Sequence, residues 1–289
     1  MTSAGLDPRL HPFRPDLAAV ALKDRVRAPR YVEGRERQVS APAAPLRRTP
    51  ERAARLETEA LYGELVTVYE ERDGWAWGQL ARDGYVGYLP AETLSGEIRD
   101  RTHRVAALRT HVFPEPAVKA PPLRLLSLNA GLAVRAAQGR FLELVGGGYV
   151  AAAHAAPLGE HAPDFVAVAE RFLGTPYLWG GRTSLGLDCS ALIQLSMEAA
   201  GLPAPRDSDM LQAALGEALD TGDLAALRRG DLVFWREHLG VMLDASRLLH
   251  ANAHHMETVI EPLGDAIARG EAEGSAVTAI KRLPALGAS

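Results

Sequence analysis

Two Asp-Gly pairs, Asp73-Gly74 and Asp83-Gly84, interrupt a stretch in which apolar and polar residues alternate. Asp-Gly accepts the positive backbone angles of a two-residue hairpin turn, so the runs on either side are forced into tight antiparallel strands. Glu64–Glu70, Trp75–Leu80 and Tyr85–Pro90 are those runs. Strands this short on turns this tight close into a small barrel, predicted over residues 47–96.

A fainter copy follows over residues 97–157. Gln138-Gly139-Arg140-Phe141 stands where Asp73-Gly74-Trp75-Ala76 stood, and Gly147-Gly148-Tyr149-Val150 where Asp83-Gly84-Tyr85-Val86 stood. The repeat predicts tandem barrels, the second without tryptophans. Ahead of them, residues 1–46 are rich in Pro, Arg and Ala and read as an extended arm or linker. Trp75 and Trp77 read as barrel core.

From residue 158 to 289 the pattern changes. Asp164–Leu173 has helical periodicity, Thr175–Gly181 reads as a loop, and Cys189–Ala200 is an apolar helix stopped by Gly201 and Pro203. Asp207–Leu215 reads as helix. Asp231–Trp235, Leu239–Asp244, Leu248–Asn252 and Ala276–Leu283 read as strands. Helices first and an antiparallel sheet after them predict an α+β domain.

Composition narrows the function classes. The chain is 289 residues long, 47% hydrophobic, with a net charge of −4. That suits two or three domains and offers no basic footprint for nucleic acid. No apolar run is long enough to span a bilayer, and the charged N-terminus does not resemble a secretory signal. With one cysteine in the chain, an intramolecular disulfide is impossible, and a reducing, cytoplasmic compartment is the expectation.

That cysteine, Cys189, falls where loop becomes helix. Unpaired first-turn amides and the helix dipole favour a thiolate there and can hold an oxyanion. The alternative is a small buried hydrophobe. Two histidines downstream tip the balance. If a three-residue turn places Leu243 opposite Arg247, His250 faces Gly240, and His238 lies on the same face two residues along. A one-residue slip would separate them. In that register His238 is the base for the thiol and His250 orients its ring. His254 and His255 follow closely and could be confused with the orienting residue. No Cys-x-x-Cys or His-Glu-x-x-His pair marks a metal site, and no cofactor is expected.

Gly174-Thr175-Pro176-Tyr177-Leu178-Trp179-Gly180-Gly181, Leu187-Asp188-Cys189-Ser190, Pro205-Arg206-Asp207-Ser208, Arg229-Gly230-Asp231-Leu232-Val233-Phe234-Trp235, His238-Leu239-Gly240-Val241 and Leu249-His250-Ala251 together resemble the NlpC family of papain-like cell-wall peptidases. Ala191 departs from the glycine that many members carry. Residues 47–96 resemble the bacterial SH3-like domain, and the whole chain resembles the subgroup with two such domains ahead of the catalytic one, the dipeptidyl-peptidase VI group. The resemblance implies that Cys189 is the nucleophile, His238 the base and His250 the third polar residue. It implies that Tyr177 lines the pocket and that Asp188 and Ser190 hold the substrate's amine end. Glu64 from the first barrel, with Tyr88 or Tyr85 beside it, is expected at that amine too. Arg206 is expected either at a substrate carboxylate or in a loop-fixing ion pair, and Trp179 as a buttress for the loop before Cys189.

The implied reaction cuts murein-derived peptides with a free N-terminal L-alanine between γ-D-glutamate and the diamino acid, as part of peptide recycling. The competing readings are a thiol-dependent amidase or acyltransferase on another substrate, and an inactive module that binds wall peptides. The oligomeric state is left open.

Overall fold

In the computed structural model, residues 5–284 are described. The first residues of the arm expected over 1–46 and the last of the domain expected over 158–289 lie outside them. The chain divides into two compact units, the first ending at Glu160 and the second beginning at His161.

The first unit is all strand apart from short 3₁₀ turns. Its largest sheet has seven strands. Leu65–Arg72, Trp75–Leu80 and Val86–Pro90 form a meander within it. Arg72 pairs with Trp75 across the two-residue turn, where Asp73 has φ 52° and Gly74 φ 80°. Those are the angles an Asp-Gly hairpin needs. Val66, Val68, Ala76, Leu80 and Leu89 point into the core.

The arm is a correction. Arg35–Val39 pairs with Leu65–Arg72, and Ala43–Arg47 pairs with Leu56–Leu61, so residues 35–47 complete the seven-stranded sheet. Earlier residues also fold. Phe13–Arg14, Leu17–Ala19 and Arg30–Val32 make a three-stranded sheet. Its core of Ala18, Leu22 and Val26 is backed by Phe13 and Tyr31. Prolines and arginines hid these strands because each strand is only two to five residues long, too short for a period-two pattern to stand out. The Val86 N–H donates to the Arg9 carbonyl at 2.8 Å, and the Arg14 guanidinium lies 4.7 Å from the Trp77 ring centroid.

Residues 103–157 form three small antiparallel sheets around Val105, Val112, Leu126, Leu132, Leu144 and Val150. The order of hairpin, 3₁₀ turn and short strand recurs. Trp75–Leu80, Val86–Pro90, Ala91–Thr93 and Leu94–Ser95 are matched by Phe141–Leu144, Tyr149–Ala151, Ala152–His154 and Ala155–Pro157.

The second unit carries a six-stranded sheet. Its order is Glu217–Leu219, Ala279–Arg282, Leu232–Trp235, His238–Met242, Arg247–Asn252, Glu257–Pro262, every neighbour antiparallel. The helix Cys189–Ala199 packs on the strands His238–Met242 and Arg247–Asn252, with Phe165–Glu170 beside it. All of its residues except Glu198 are buried. A helix apolar on every side belongs between layers. Burying Leu192, Ile193, Leu195 and Met197 contributes about 1.5–3 kcal/mol each. The opposite face of the sheet packs Val233, Met242, Leu248 and Ile280 against Leu263 and Ala266 of a further helix, Leu263–Ala272. That helix and the strand Glu257–Pro262 were not among the sequence expectations. Helices and an antiparallel sheet make the unit α+β.

Candidate active site

Cys189 is the first residue of its helix. The preceding Asp188 is the N-cap, and its side chain accepts the Ala191 N–H at 2.8 Å. Capping fixes where the helix starts and therefore where the sulfur points. The thiol, 6% exposed, lies 3.9 Å from the Glu237 carbonyl, on the turn that carries His238.

That turn is itself tightly built. Trp235 pairs with His238 across Arg236-Glu237, and Glu237 holds φ 60°. The indole and imidazole centroids are 5.6 Å apart. On the next hairpin, Val241 pairs with Leu249, and the Leu243 N–H donates to the Arg247 carbonyl. This register puts Gly240 opposite His250, where a Cβ on the glycine would come 3.0 Å from the His250 Cβ. His238 Nε2 lies 2.8 Å from His250 Nδ1. The conditional register is the one found, and the two rings meet.

His250 reaches a further group that the sequence reading missed. Its Nε2 lies 2.6 Å from Glu261 Oε1, and Glu261 is held by both guanidinium nitrogens of Arg269. Glu261 sits on the strand paired with that of His250, and Arg269 one helical turn and more beyond. Neither lies in a recognisable motif, and their approach depends on a strand-to-helix bend. The alternation Thr258, Ile260 against Val259, Glu261 was the one available signal.

The electrostatics correct one expectation. Desolvation by burial, then the Asp188 carboxylate, push the Cys189 thiol up to about 12, outweighing the amides of Leu239 and Ser190 that lower it. Burial, then His250, pull His238 down to about 3. Burial pulls His250 down to about 4 against the opposing pull of Glu261. The resting site therefore holds a neutral thiol beside neutral imidazoles. The helix terminus alone does not ionise a sulfur so thoroughly removed from water.

Asp188 and Ser190 are buried and tied to Arg206, which is 1% exposed. Arg206 donates to Asp188 Oδ1 at 3.0 Å, to Asp188 Oδ2 at 2.7 Å and to Ser190 Oγ at 2.7 Å. Gly180 N–H and Ser190 Oγ–H also donate to the carboxylate. Arg206 is thus engaged in the loop-fixing pair. Arg182, fully buried, ties the preceding hairpin to the helix through Gln194 and Glu198.

A cleft of about 520 Å³ opens beside His238 and His250, lined also by Tyr177, Trp179, Trp235 and Asn252. Burial raises the Tyr177 phenol, with Cys189 and Asp188 adding to the rise. Trp179 is 44% exposed and lines this cleft, which differs from the buttress expected of it. His254 lines it too, whereas His255 is bonded to Asn252.

The two barrel residues nominated for substrate have partners in their own unit. Glu64 is 3% exposed and pairs with Arg82 at 3.2 Å. The Tyr88 hydroxyl accepts from Arg14 at 3.1 Å. Tyr85 is core. Among the described residues, no three His, Cys, Asp or Glu side chains are grouped as metal ligands, and no helix is long and apolar enough to cross a membrane.

Comparison with known proteins agrees with this chemistry. Residues 174–268 match the NlpC/P60 family, and residues 46–94 match the bacterial dipeptidyl-peptidase SH3 domain. A γ-D-glutamyl-L-lysine dipeptidyl-peptidase of Bacillus cereus is 27% identical over 244 residues, 73% of this chain and 72% of that one. The enzyme of the same name from Bacillus subtilis is 26% identical over 223 residues, 68% and 72%. The crystal structure of an NlpC/P60 family protein from Bacillus cereus superposes with a TM-score of 0.71 at 21% identity, covering 86% of this chain and all of that one. Residues 46–94 thus form a bacterial SH3 domain and residues 174–268 an NlpC/P60 domain, the make-up of a cysteine peptidase.

Proposed function

We propose that this peptidase hydrolyses peptides released from bacterial cell wall, taking those with a free N-terminal L-alanine and cutting between γ-D-glutamate and the diamino acid. The observation that carries the reading is the buried helix-start thiol of Cys189 against the turn bearing His238, whose Nε2 is in turn occupied by His250. The likeness to γ-D-glutamyl-L-lysine dipeptidyl-peptidases supports this substrate class.

In this proposal the thiol proton passes to His238 as sulfur attacks the carbonyl. First-turn amides of the Cys189 helix stabilise the oxyanion. His238 returns the proton to the departing amine, leaving a thioester. Water then adds, giving its proton to His238, and the sulfur leaves reprotonated. Because the resting pair is neutral, proton transfer accompanies attack. His250 contributes by holding the His238 ring, so His250→Ala is expected to cost less than His238→Ala.

Asp188 and Ser190 hold the substrate ammonium, beside Tyr177 on the cleft wall. Arg206 already neutralises Asp188, so a second anion strengthens the site. The single cysteine suits a reducing compartment, and we place the reaction in cytoplasmic recycling of freed peptides.

The test is L-Ala-γ-D-Glu-L-Lys, free or N-acetylated, with wild type and Cys189→Ala. Release of L-Ala-γ-D-Glu from the free peptide alone, abolished by Cys189→Ala, is the expected result. Wild-type rates in Cys189→Ala would end the nucleophile assignment, and indifference to the acetyl group would end the amine subsite and favour a general thiol amidase.

A further inference from the structure

The pair of imidazoles is useful only if its protons sit on the right nitrogens. His238 has one ring nitrogen engaged, Nε2, on His250 Nδ1 at 2.8 Å. In the pairing proposed above, its other nitrogen, Nδ1, is the one that serves the thiol. For Nδ1 to accept a proton, His238 must carry its resting proton on Nε2 and donate it to His250 Nδ1. That requires His250 in turn to carry its own proton on Nε2. Whether it does is decided by what Nε2 meets.

Nε2 of His250 meets two groups. Glu261 Oε1 is 2.6 Å away, and the Asn252 amide nitrogen is 2.9 Å away. The Asn252 oxygen takes the His255 N–H at 2.8 Å, so its NH₂ faces the imidazole. One nitrogen cannot accept from Asn252 and donate to Glu261 at once. The Glu261 carboxyl is held below the ordinary glutamate range, because the Arg269 hydrogen bond and His250 outweigh its partial burial. It is ionised, acceptor-only and nearer. A bond to a charged acceptor is about twice as strong as a neutral one. Glu261 therefore decides the contest, and Nε2 carries the proton.

We propose that Glu261, clamped by Arg269, is a positioning residue that sets the tautomers of both His250 and His238, leaving His238 Nδ1 bare to receive the Cys189 proton. The inference rests on the Cys189–His238 pairing proposed above, and it extends that pairing by two residues on a strand and helix outside the recognised motifs. The proton order runs from Glu261 outward. Glu261 accepts from His250 Nε2–H, and His250 Nδ1 accepts from His238 Nε2–H. His238 Nδ1 takes the thiol proton, leaving a thiolate and an imidazolium that still donates through Nε2. No proton crosses to Glu261.

Replacing the carboxylate by an amide tests this sharply. In Glu261→Gln, Arg269 keeps the amide oxygen and turns the NH₂ toward His250. Nε2 then becomes an acceptor, and the proton moves to Nδ1. His250 donates to His238 Nε2, and His238 is left with its proton on Nδ1, facing the thiol. Glu261, Arg269 and His255 act electrostatically on the His250 and His238 rings. Of these, only Glu261 favours the imidazolium, so its loss moves the acid limb of kcat/KM to lower pH.

The experiment is ¹⁵N long-range correlation NMR of the histidine rings in full-length wild type, Glu261→Gln, Glu261→Asp and Arg269→Met, with kcat and KM measured alongside. Wild type is expected to show Nε2–H on both His238 and His250, and Glu261→Gln to invert both. Its kcat is expected to fall about 10- to 100-fold, a share of the 10²–10⁴ that general-base catalysis supplies, with KM little changed. Glu261→Asp is expected to restore the wild-type tautomers and most of kcat. If Glu261→Gln does not fold, Arg269→Met is expected to give mixed tautomers. Nδ1–H on His238 in wild type, or ring signals indifferent to every variant, overturns the proposal. The ring spectra are read without substrate, so a failure of the peptide assignment and a failure of the relay are distinguishable.

Discussion

His238 and His250, twelve residues apart, meet with Nε2 and Nδ1 2.8 Å from each other because Gly240 leaves the space between their strands open. A Cβ at Gly240 would come 2.8 Å from Leu248 Cδ1 and 3.0 Å from His250 Cβ.

Gly240→Ala is therefore expected to push His250 away from His238 while leaving the thiol in place. We expect kcat to fall about tenfold or more with the fold retained, since overpacking of this kind costs about 1–3 kcal/mol. Near-ultraviolet circular dichroism and steady-state rates measured together would show it. Unchanged turnover would mean that the ring pair is not used.

The buried neutral thiol predicts slow alkylation. Cys189 is pushed up to about 12, so iodoacetamide labelling of the free protein is expected to be slower at pH 7 than for an ordinary cysteine. The rate should climb about tenfold per pH unit through pH 10. A plateau at neutral pH would instead reveal a preformed thiolate–imidazolium pair.

Acid should destabilise the second unit before carboxylates titrate. His238 and His250 are pulled down from 6.5 to about 3 and about 4. Below pH 6.5 the unfolded chain binds their protons and the folded chain does not. Stability is thus full above pH 6.5 and is lost as pH falls toward 4 and then 3. Each histidine contributes a slope of about 1.4 kcal/mol per pH unit near pH 5. Urea unfolding of wild type and His250→Gln between pH 5 and 7 checks this. The variant should show a slope smaller by about one proton, and an identical slope would refute the buried neutral state.

Arg206→Met leaves the Asp188 carboxylate buried without its cation. We expect a loss of about 3–5 kcal/mol, read as a lower urea midpoint. A companion Asp188→Asn/Arg206→Met variant should recover part of it. Loss of activity at full stability would show that Arg206 acts on substrate rather than on the loop.

Local pattern was enough for the parts of the molecule set by neighbours in sequence. The Asp73-Gly74 turn, the apolar helix from Cys189 and the histidine strands all follow from period, cap and turn chemistry, and the register of His238 and His250 follows from one short turn. The motifs around Cys189 also carry the resemblance to the NlpC/P60 family. Contacts made at long range were decided only by the fold. Residues 35–47 look like a linker because strands of five residues carrying arginine and proline show little alternation, yet they lie inside a sheet with partners on both sides. The Cys189 thiol looks activated from its place at a helix start, but burial controls it, and burial is a property of everything packed around it. Glu261 reaches His250 through cross-strand pairing, and Arg269 reaches Glu261 through the bend from strand to helix. An alternating pattern shows that a charged residue shares a face, whereas the partner it meets there is fixed only when the sheet and its covering helix come together.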